Sequence, residues 1–181
     1  MIRRPPRSTQ GVSSAASDVY KRQDDRGRKT VMQLVDNACD ERIYPVGRLD
    51  RNTTGLLLFT NDGDLAKKLV HPKHSVRKIY HVTLDKKLAK HHLNAIAEGV
   101  ELEDGIALVD SVSYIDGSPH DQVGIELHIG RNRIVRRIFE SLGYQVVHLD
   151  RVVFGNLTKK DVKRGSWKHL DKKELELLRM V

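Results

Sequence analysis

The short apolar run "GLLLFT", from Gly55 to Thr60, restricts the fold more than any other stretch of this chain. Four large apolar side chains in a row, with turn-forming polar residues on both sides, predict a buried strand. Directly after it, Asn61 or Asp62 is expected to cap a helix through "GDLAKKLV", which Pro72 ends. A strand and a helix joined by so short a link are typical of a domain in which helices cover a sheet.

The rest of the chain predicts further strands and helices in irregular alternation. The strand-like segments are "RKIYHVTL", "ALVDSVSYI", "QVGIELHIG" and "QVVHLDRVVFG". The helix-like segments are "KTVMQLVDNA" with Thr30 as N-cap, "KKLAKHHLNAIAEG" closed by Gly99, "NRIVRRIFESLG", and "DKKELELLRM" capped by Asp171. Because hairpin-like spacings recur, we expect an α+β fold with a mixed, mostly antiparallel sheet flanked by helices, rather than a doubly wound parallel sheet.

Length and composition are typical of a soluble globular protein with one domain, or one domain and a small appendage. The chain has 181 residues, of which 39% are hydrophobic, which is enough for a core. No run approaches the roughly 18 apolar residues of a membrane span, and the N-terminus lacks the apolar middle of a signal peptide. We therefore expect a cytoplasmic protein that does not contact membranes. The single cysteine, Cys39, excludes an internal disulfide and a thiolate zinc cluster.

Residues 1–23 differ in composition from the rest of the chain. They contain paired prolines, a Ser/Ala patch and scattered arginines, with almost no large aliphatic side chains. Such a segment cannot bury a core, so it is predicted to be disordered. It also resembles translated linker sequence, and a basic RNA-binding arm is the weaker alternative. We expect a spurious leader in front of a domain that spans residues 24–181.

Positive charge is concentrated in the last third of the chain. The formal net charge is +8, and from residue 127 onward there are 13 Lys and Arg against 6 Asp and Glu. A basic region of this kind favours a nucleic-acid partner.

Asp50, in "YPVGRLDRNTTG", has two interpretations. Asp favours turns because its carboxylate bonds nearby backbone N–H groups, and on composition alone a turn is the better interpretation. However, Arg48 and Arg51 flank the carboxylate and a buried strand follows. That setting would hold a carboxylate ionised at the rim of a core, as a reactive group requires.

A second cluster lies in "GRNRIVRRIF", which opens a predicted helix. Arg133, Arg136 and Arg137 are spaced to share one helix face, and Arg131 precedes them. Most such runs form a solvated basic face, but arginine also binds phosphates and carboxylates through paired hydrogen bonds.

Tyr80, in "RKIYHV", also has two interpretations. It is either a packed strand tyrosine with a wet hydroxyl, or a ring that stacks on an unpaired base.

Other chemistries lack the patterns they require. The nine histidines show no HExxH or Cys/His spacing, and the aspartates show no calcium-loop spacing, so no metal is expected. The chain also has no Gly-rich phosphate loop ending in Lys-Ser/Thr and no Ser-centred nucleophile elbow.

From about Asp24 to the C-terminus, the chain resembles the RsuA/RluB family of ribosomal RNA pseudouridine synthases. "YPVGRLDRNTTGLLLFTNDGDLA" is similar to the catalytic motif of the family, "RKIYHV" to its tyrosine motif and "GRNRIVRRIF" to its arginine motif, in the family's order. The motifs are closer to those of the B-type enzymes, which modify the large ribosomal subunit. The resemblance implies an isomerase that converts one uridine of ribosomal RNA, here of the 23S rRNA, to pseudouridine without cofactor or metal, and we expect it to act as a monomer.

The resemblance also implies roles for individual residues. Asp50 matches the catalytic aspartate, Tyr80 the tyrosine that stacks on the target base, and Arg136 the basic residue that pairs with the aspartate. Arg48 matches the arginine that fills the space left by the flipped-out uridine. The expected RNA contacts are completed by Arg51, Lys78, Arg131, Arg133 and Arg137.

The chain departs from the family at its N-terminus. Family members carry a small RNA-binding S4 domain and a further strand before the segment "DDRGRKTVMQLV". We therefore expect a native product that is longer at this end, and a catalytic sheet that lacks one strand. Two alternatives remain, namely a catalytically impaired RNA-binding fragment of such an enzyme and, ranked last, a DNA-binding regulator that would leave Asp50 and Tyr80 without a role.

Overall fold

The computed structural model describes residues 11–16 and 30–180. In these ranges the strands are β1 Gly11–Ala16, β2 Tyr44–Pro45, β3 Thr54–Thr60, β4 Lys78–Leu84, β5 Val100–Leu102, β6 Gly105–Ala107, β7 Ser111–Tyr114, β8 Gln122–Leu127, β9 Val146–Phe154, β10 Leu157–Thr158 and β11 Trp167–His169. The α-helices are α1 Gly63–Val70, α2 Lys90–Glu98, α3 Ile134–Ser141 and α4 Lys172–Arg179, with single 3-10 turns at Val31–Leu34 and Pro72–His74.

Nine of these strands form one sheet with the order β11-β1-β3-β9-β4-β8-β7, to which β2 adds beside β3 and β10 beside β9. The β3–β9 pair is parallel and the other pairs of the sheet are antiparallel. Strands β5 and β6 form a separate hairpin. The predicted α+β fold with a mixed, mostly antiparallel sheet is confirmed.

Both faces of β3 are covered, as its uninterrupted apolar run predicts. Leu56 and Leu58 pack with residues of α1 and α4. Leu57 and Phe59 pack instead with the segment around the first 3-10 turn, including Val31. A third and larger core lies between β4, β8 and β9 on one side and α2 and α3 on the other.

Local signals in the sequence explain most of the element ends. The Asp62 carboxylate accepts hydrogen bonds from the N–H groups of Asp64 and Leu65, so Asp62 is the cap of α1. Asp171 and Glu174 form a reciprocal capping box at α4. By contrast, the helix expected after Thr30 is only a 3-10 turn, and the Thr30 side chain makes no capping bond. The apolar residues Val31 and Val35 of this segment pack on Leu57 and Phe59 of β3.

Two expectations about strands are wrong. "ALVDSVSYI" was predicted as one strand, but Ala107 ends the separate hairpin while Ser111–Tyr114 joins the sheet. Residues 11–16 were predicted to be disordered, yet they form β1 between β3 and β11, in register from Gly11 opposite Thr60 to Ala16 opposite Gly55.

The pairing of β1 has a simple physical cause. Strands pair through backbone N–H and C=O groups, so a segment without large side chains still completes the open edge of a buried strand. The sheet therefore does not lack a strand beside β3. The remainder of the predicted leader, residues 1–10 and 17–23, lies outside the described residues, and the domain boundary at residue 24 stays a prediction.

Candidate active site

The loop between β2 and β3 carries Asp50. The Thr53 N–H donates a hydrogen bond to the Asp50 carbonyl oxygen over 3.0 Å, so Asp50 does sit in a turn. Its side chain is half-buried, and its carboxylate has no hydrogen-bond or ion-pair partner among the described residues. Arg48 and Arg51, which flank it, are exposed. Asp50 is therefore both a turn residue and an uncommitted carboxylate at the edge of the core.

Arg136 reaches this loop from α3. The residue is 6% exposed. Its Nη2 donates a hydrogen bond to the Asn52 carbonyl oxygen over 2.6 Å, and its Nη1 donates one to the Val146 carbonyl oxygen over 2.8 Å. The guanidinium therefore ties the Asp50 loop to the start of β9.

The pKa of the Arg136 guanidinium is also influenced by Asp50. Burial lowers the pKa of the Arg136 guanidinium and nearby Arg133 lowers it further, while the negative charge of Asp50 raises it. The buried Nε has no hydrogen-bond partner in the described protein. The structure thus places the two predicted residues within electrostatic reach of each other, with one N–H of the arginine unused.

Tyr80 lies in β4, opposite Ile125 of β8 and Arg151 of β9. The pairing of β4 with β9 shifts register between Ile79 and Tyr80, and such bulges redirect side chains. The ring is half-buried and packs against the larger core. Gly55, in the strand that follows the Asp50 loop, also lies opposite Arg151, so Tyr80 of β4 and Gly55 of β3 flank the same residue of β9.

Arg151 is a residue of this site that we did not predict. It is 3% exposed, and its Nε and Nη2 donate hydrogen bonds to the Leu56 carbonyl oxygen over 2.9 and 2.7 Å. The guanidinium also lies 4.9 Å from the centre of the Phe154 ring. The signal was an arginine within the apolar segment "QVVHLDRVVFG", because a charge at such a position must be paired or hydrogen-bonded if buried.

The parallel contact between β3 and β9 is short and is reinforced by side chains. The Asp150 carboxylate accepts hydrogen bonds from the Thr54 hydroxyl over 2.9 Å and from the Lys159 ammonium. The pairing of β3 with β9 ends at Gly55. The carbonyl oxygen of the next residue, Leu56, accepts its hydrogen bonds from the Arg151 side chain instead. The end of the Asp50 loop is fixed on β9 in this way.

Lys78, expected to contact RNA, is held by the protein itself. Its Nζ donates hydrogen bonds to the carbonyl oxygens of Val76 and His128, each over 2.8 Å. Burial and the charge of Arg151 lower the pKa of Lys78 to about 8.

The three remaining arginines of the motif lie on the surface and each contacts a carboxylate. Arg137 contacts Asp104 over 2.5 Å, Arg131 contacts the same carboxylate over 3.7 Å, and Arg133 contacts Glu140 over 3.2 Å. All four arginines of "GRNRIVRR" are therefore gathered at the N-terminal part of α3, but only Arg136 points to the Asp50 loop.

In the described part of the chain, no three His, Cys, Asp or Glu side chains converge as a metal site requires. The expectation of metal-free and cofactor-free chemistry stays a prediction. No helix among the described residues is long and apolar enough to cross a membrane.

Comparison with known proteins identifies the family. The family model for RNA pseudouridylate synthase matches residues 9–141, a range that contains the Asp50 loop, Tyr80, the whole of α3 and β1. The chain is 36% identical over 154 residues to an uncharacterized RNA pseudouridine synthase of Aquifex aeolicus, covering 84% of this chain and 61% of the relative. It is 41% identical over 164 residues to ribosomal large subunit pseudouridine synthase B of Yersinia pestis, covering 90% and 52%.

Solved structures share the fold of this chain. A crystal structure of a pseudouridylate synthase superimposes with a TM-score of 0.81 at 28% identity, covering 94% of this chain and 74% of that one. The archaeal box H/ACA sRNP Nop10-Cbf5 complex shares the fold, with a TM-score of 0.56 at 13% identity, covering 85% of this chain and 51% of that one. The chain thus spans between half and two thirds of the length of the two relatives named above. The family predicted from the three motifs is confirmed, and the chain belongs to the RNA pseudouridylate synthases.

Proposed function

We propose that this chain is the catalytic domain of an enzyme that converts a uridine of large-subunit ribosomal RNA to pseudouridine. The observation that carries the proposal is the half-buried Asp50 carboxylate, uncommitted within the described protein, on a loop to which the buried guanidinium of Arg136 donates a hydrogen bond. The name of the Yersinia pestis relative supports ribosomal RNA of the large subunit as the substrate. We infer a cytoplasmic location, because relatives such as that of Yersinia pestis are bacterial and bacterial ribosomal RNA matures in the cytoplasm.

The reaction needs one ionised carboxylate and no change of oxidation state. Asp50 attacks C1′ of the ribose, or removes a proton from C2′ to give a glycal, as the bond from C1′ to N1 of the base breaks and its electron pair goes to N1. The base turns and C5 bonds to C1′. In the first route the bond from Asp50 to C1′ breaks as this bond forms, and in the second route Asp50 returns its proton to C2′. C5 then loses its proton and N1 gains one. Since atoms and electrons balance within the substrate, no redox cofactor is required.

The surrounding residues have separate tasks. The two main-chain contacts of Arg136 hold the loop that aims the Asp50 carboxylate. Its unused Nε–H is available to the carboxylate once RNA is bound, which is the direct pairing we expect in that state. Tyr80 stacks on the extruded base and Arg48 occupies the gap in the RNA, which offsets the few kcal/mol that unstacking costs. Arg51 and Lys78 complete the contacts around the target nucleotide.

The alternative is an RNA-binding fragment without turnover, since the chain spans only part of its relatives. The two are separated by incubating the purified chain with large-subunit ribosomal RNA at a saturating concentration and mapping pseudouridines by carbodiimide-dependent reverse-transcription stops. We expect one uridine to be converted. Saturated, salt-sensitive binding with no new pseudouridine would contradict the proposal and support the binding fragment.

A further inference from the structure

The β5–β6 hairpin stands apart from the main sheet and places its tip on the surface of α3. Asp104, at the tip, meets Arg137 through two contacts: Nη2 to Oδ1 over 2.5 Å and Nη1 to Oδ2 over 3.0 Å. Arg131 contacts the same carboxylate, and its Nη1 also donates a hydrogen bond to the Gly105 carbonyl oxygen over 3.0 Å. The guanidinium groups of Arg131 and Arg137 thus converge on the carboxylate of Asp104, which lies about 30 residues earlier in the chain.

This arrangement is the one that arginine also uses for phosphate. A paired, side-by-side contact of one guanidinium with two oxygens is common to carboxylates and phosphates. The three side chains remain open to solvent, with 25% of Arg137, 35% of Arg131 and 47% of Asp104 exposed. Exposed ion pairs contribute little net stability, so an incoming anion can replace the carboxylate at small cost.

The cluster lies next to the candidate active site. Arg137 directly follows Arg136, whose guanidinium holds the Asn52 carbonyl of the Asp50 loop. The comparable pair between Arg133 and Glu140 lies within α3 itself. Asp104 is different because another element brings it to the arginines, so its release needs no change in the helix.

We propose that Asp104 occupies an RNA-phosphate subsite on Arg131 and Arg137, and that a backbone phosphate of the substrate displaces it when RNA binds. The inference rests on the proposed function only in taking RNA as the ligand. Hydrogen bonds from Arg137 hold the pKa of the Asp104 carboxyl below its ordinary value, so the carboxylate is charged and competes with phosphate at neutral pH. The hairpin tip therefore weakens the binding of RNA to this surface.

The experiment measures the affinity of the full chain for a fragment of large-subunit ribosomal RNA by fluorescence anisotropy. Asp104→Asn and, as a second variant, Asp104→Ala should bind about two- to fivefold more tightly, the factor expected for removing an exposed ion pair that competes with the ligand. Asp116→Asn is the matched control, because it removes the same charge at the exposed turn after β7. Replacing both arginines of the subsite, Arg131→Met together with Arg137→Met, should weaken binding, and Asp104→Asn should give no gain when added to that pair.

The measured affinities either support or overturn the displacement of Asp104 by phosphate. A gain for both Asp104 variants that exceeds the control and disappears when Arg131 and Arg137 are both replaced supports the inference. Unchanged or weaker binding by the Asp104 variants, or a gain that persists in the variant without both arginines, would overturn it. Since the readout is binding and not turnover, a chain that makes no pseudouridine but shows the coupled gain would refute the proposed function and leave this inference standing.

Discussion

The Nη2 of Arg136 donates a hydrogen bond to the carbonyl oxygen of Asn52 over 2.6 Å, across 84 residues of sequence. Through this bond the arginine motif and the aspartate motif meet, although α3 and the Asp50 loop belong to different parts of the chain. The same guanidinium also binds the carbonyl of Val146. Arg136 therefore holds the Asp50 loop, and its guanidinium lies within electrostatic reach of the Asp50 carboxylate.

Arg136→Lys should lower both stability and turnover. A lysine keeps the positive charge but cannot replace both hydrogen bonds in this geometry, and a buried carbonyl left without its donor costs about 1–3 kcal/mol. We expect the free energy of unfolding, measured in urea, to fall by about 2–4 kcal/mol. Arg133→Lys, on the exposed side of the same helix, should stay within about 0.5 kcal/mol of the wild type. Equal stability of the two variants would show that Arg136 does not hold the loop.

Gly55→Ala should destabilise the junction of β3 and β9. A Cβ at this position would lie 2.4 Å from both the N and the O of Arg151, and the φ of +116° is a conformation that other residues rarely adopt. We expect a loss of at least about 2 kcal/mol in unfolding free energy. Gly130→Ala is the control, because a Cβ there meets nothing within 4 Å. Wild-type stability of both variants would contradict the close approach of β3 to β9 at Gly55.

Lys78 should titrate far from the ordinary range of lysines. Burial lowers its pKa to about 8 from 10.5, so between these pH values the folded protein binds fewer protons than the unfolded chain. The contribution of Lys78 to stability therefore rises with pH from about 8 to 10.5, since the buried charge destabilises the fold at lower pH. In the NMR spectrum of lysine-labelled protein, one signal that Lys78→Met removes should titrate with a midpoint near 8. A midpoint above 10 for that signal would disprove the burial effect.

The ring of Tyr80 should contribute to RNA affinity. If it stacks on the extruded base, Tyr80→Ala loses about 1–3 kcal/mol of binding free energy, or about a 5- to 150-fold increase in Kd. Tyr80→Phe keeps the ring, and we expect its Kd to remain close to that of the wild type. Equilibrium binding to a ribosomal RNA fragment is the measurement. Similar affinities for the two variants would mean that the ring does not carry the contact.

The sequence allowed the prediction of features that depend on neighbouring residues. The apolar run of β3 and the caps Asp62 and Asp171 are local signals, and the structure has each of them where expected. The three motifs also led to the correct family, because each holds polar residues that a core element would not keep by chance.

Features that depend on distant pairing were missed. β1 forms because it pairs with the edge of β3, and no pattern within residues 11–16 predicts this strand. Arg151 is explained only once β3 and β9 separate and leave the Leu56 carbonyl free. Arg137 is predicted to contact RNA, but its long-range partner Asp104 comes from a hairpin that the sequence did not distinguish from the main sheet.

The central claim is that Asp50 performs the chemistry. The most direct test compares pseudouridine formation in large-subunit ribosomal RNA by the wild type, Asp50→Asn and Asp62→Asn under saturating RNA. Asp62 only caps α1, and asparagine caps equally well, so Asp62→Asn should form product like the wild type. We predict that Asp50→Asn binds the RNA with similar affinity and forms no pseudouridine. Turnover by Asp50→Asn at a rate near that of the wild type would contradict the account.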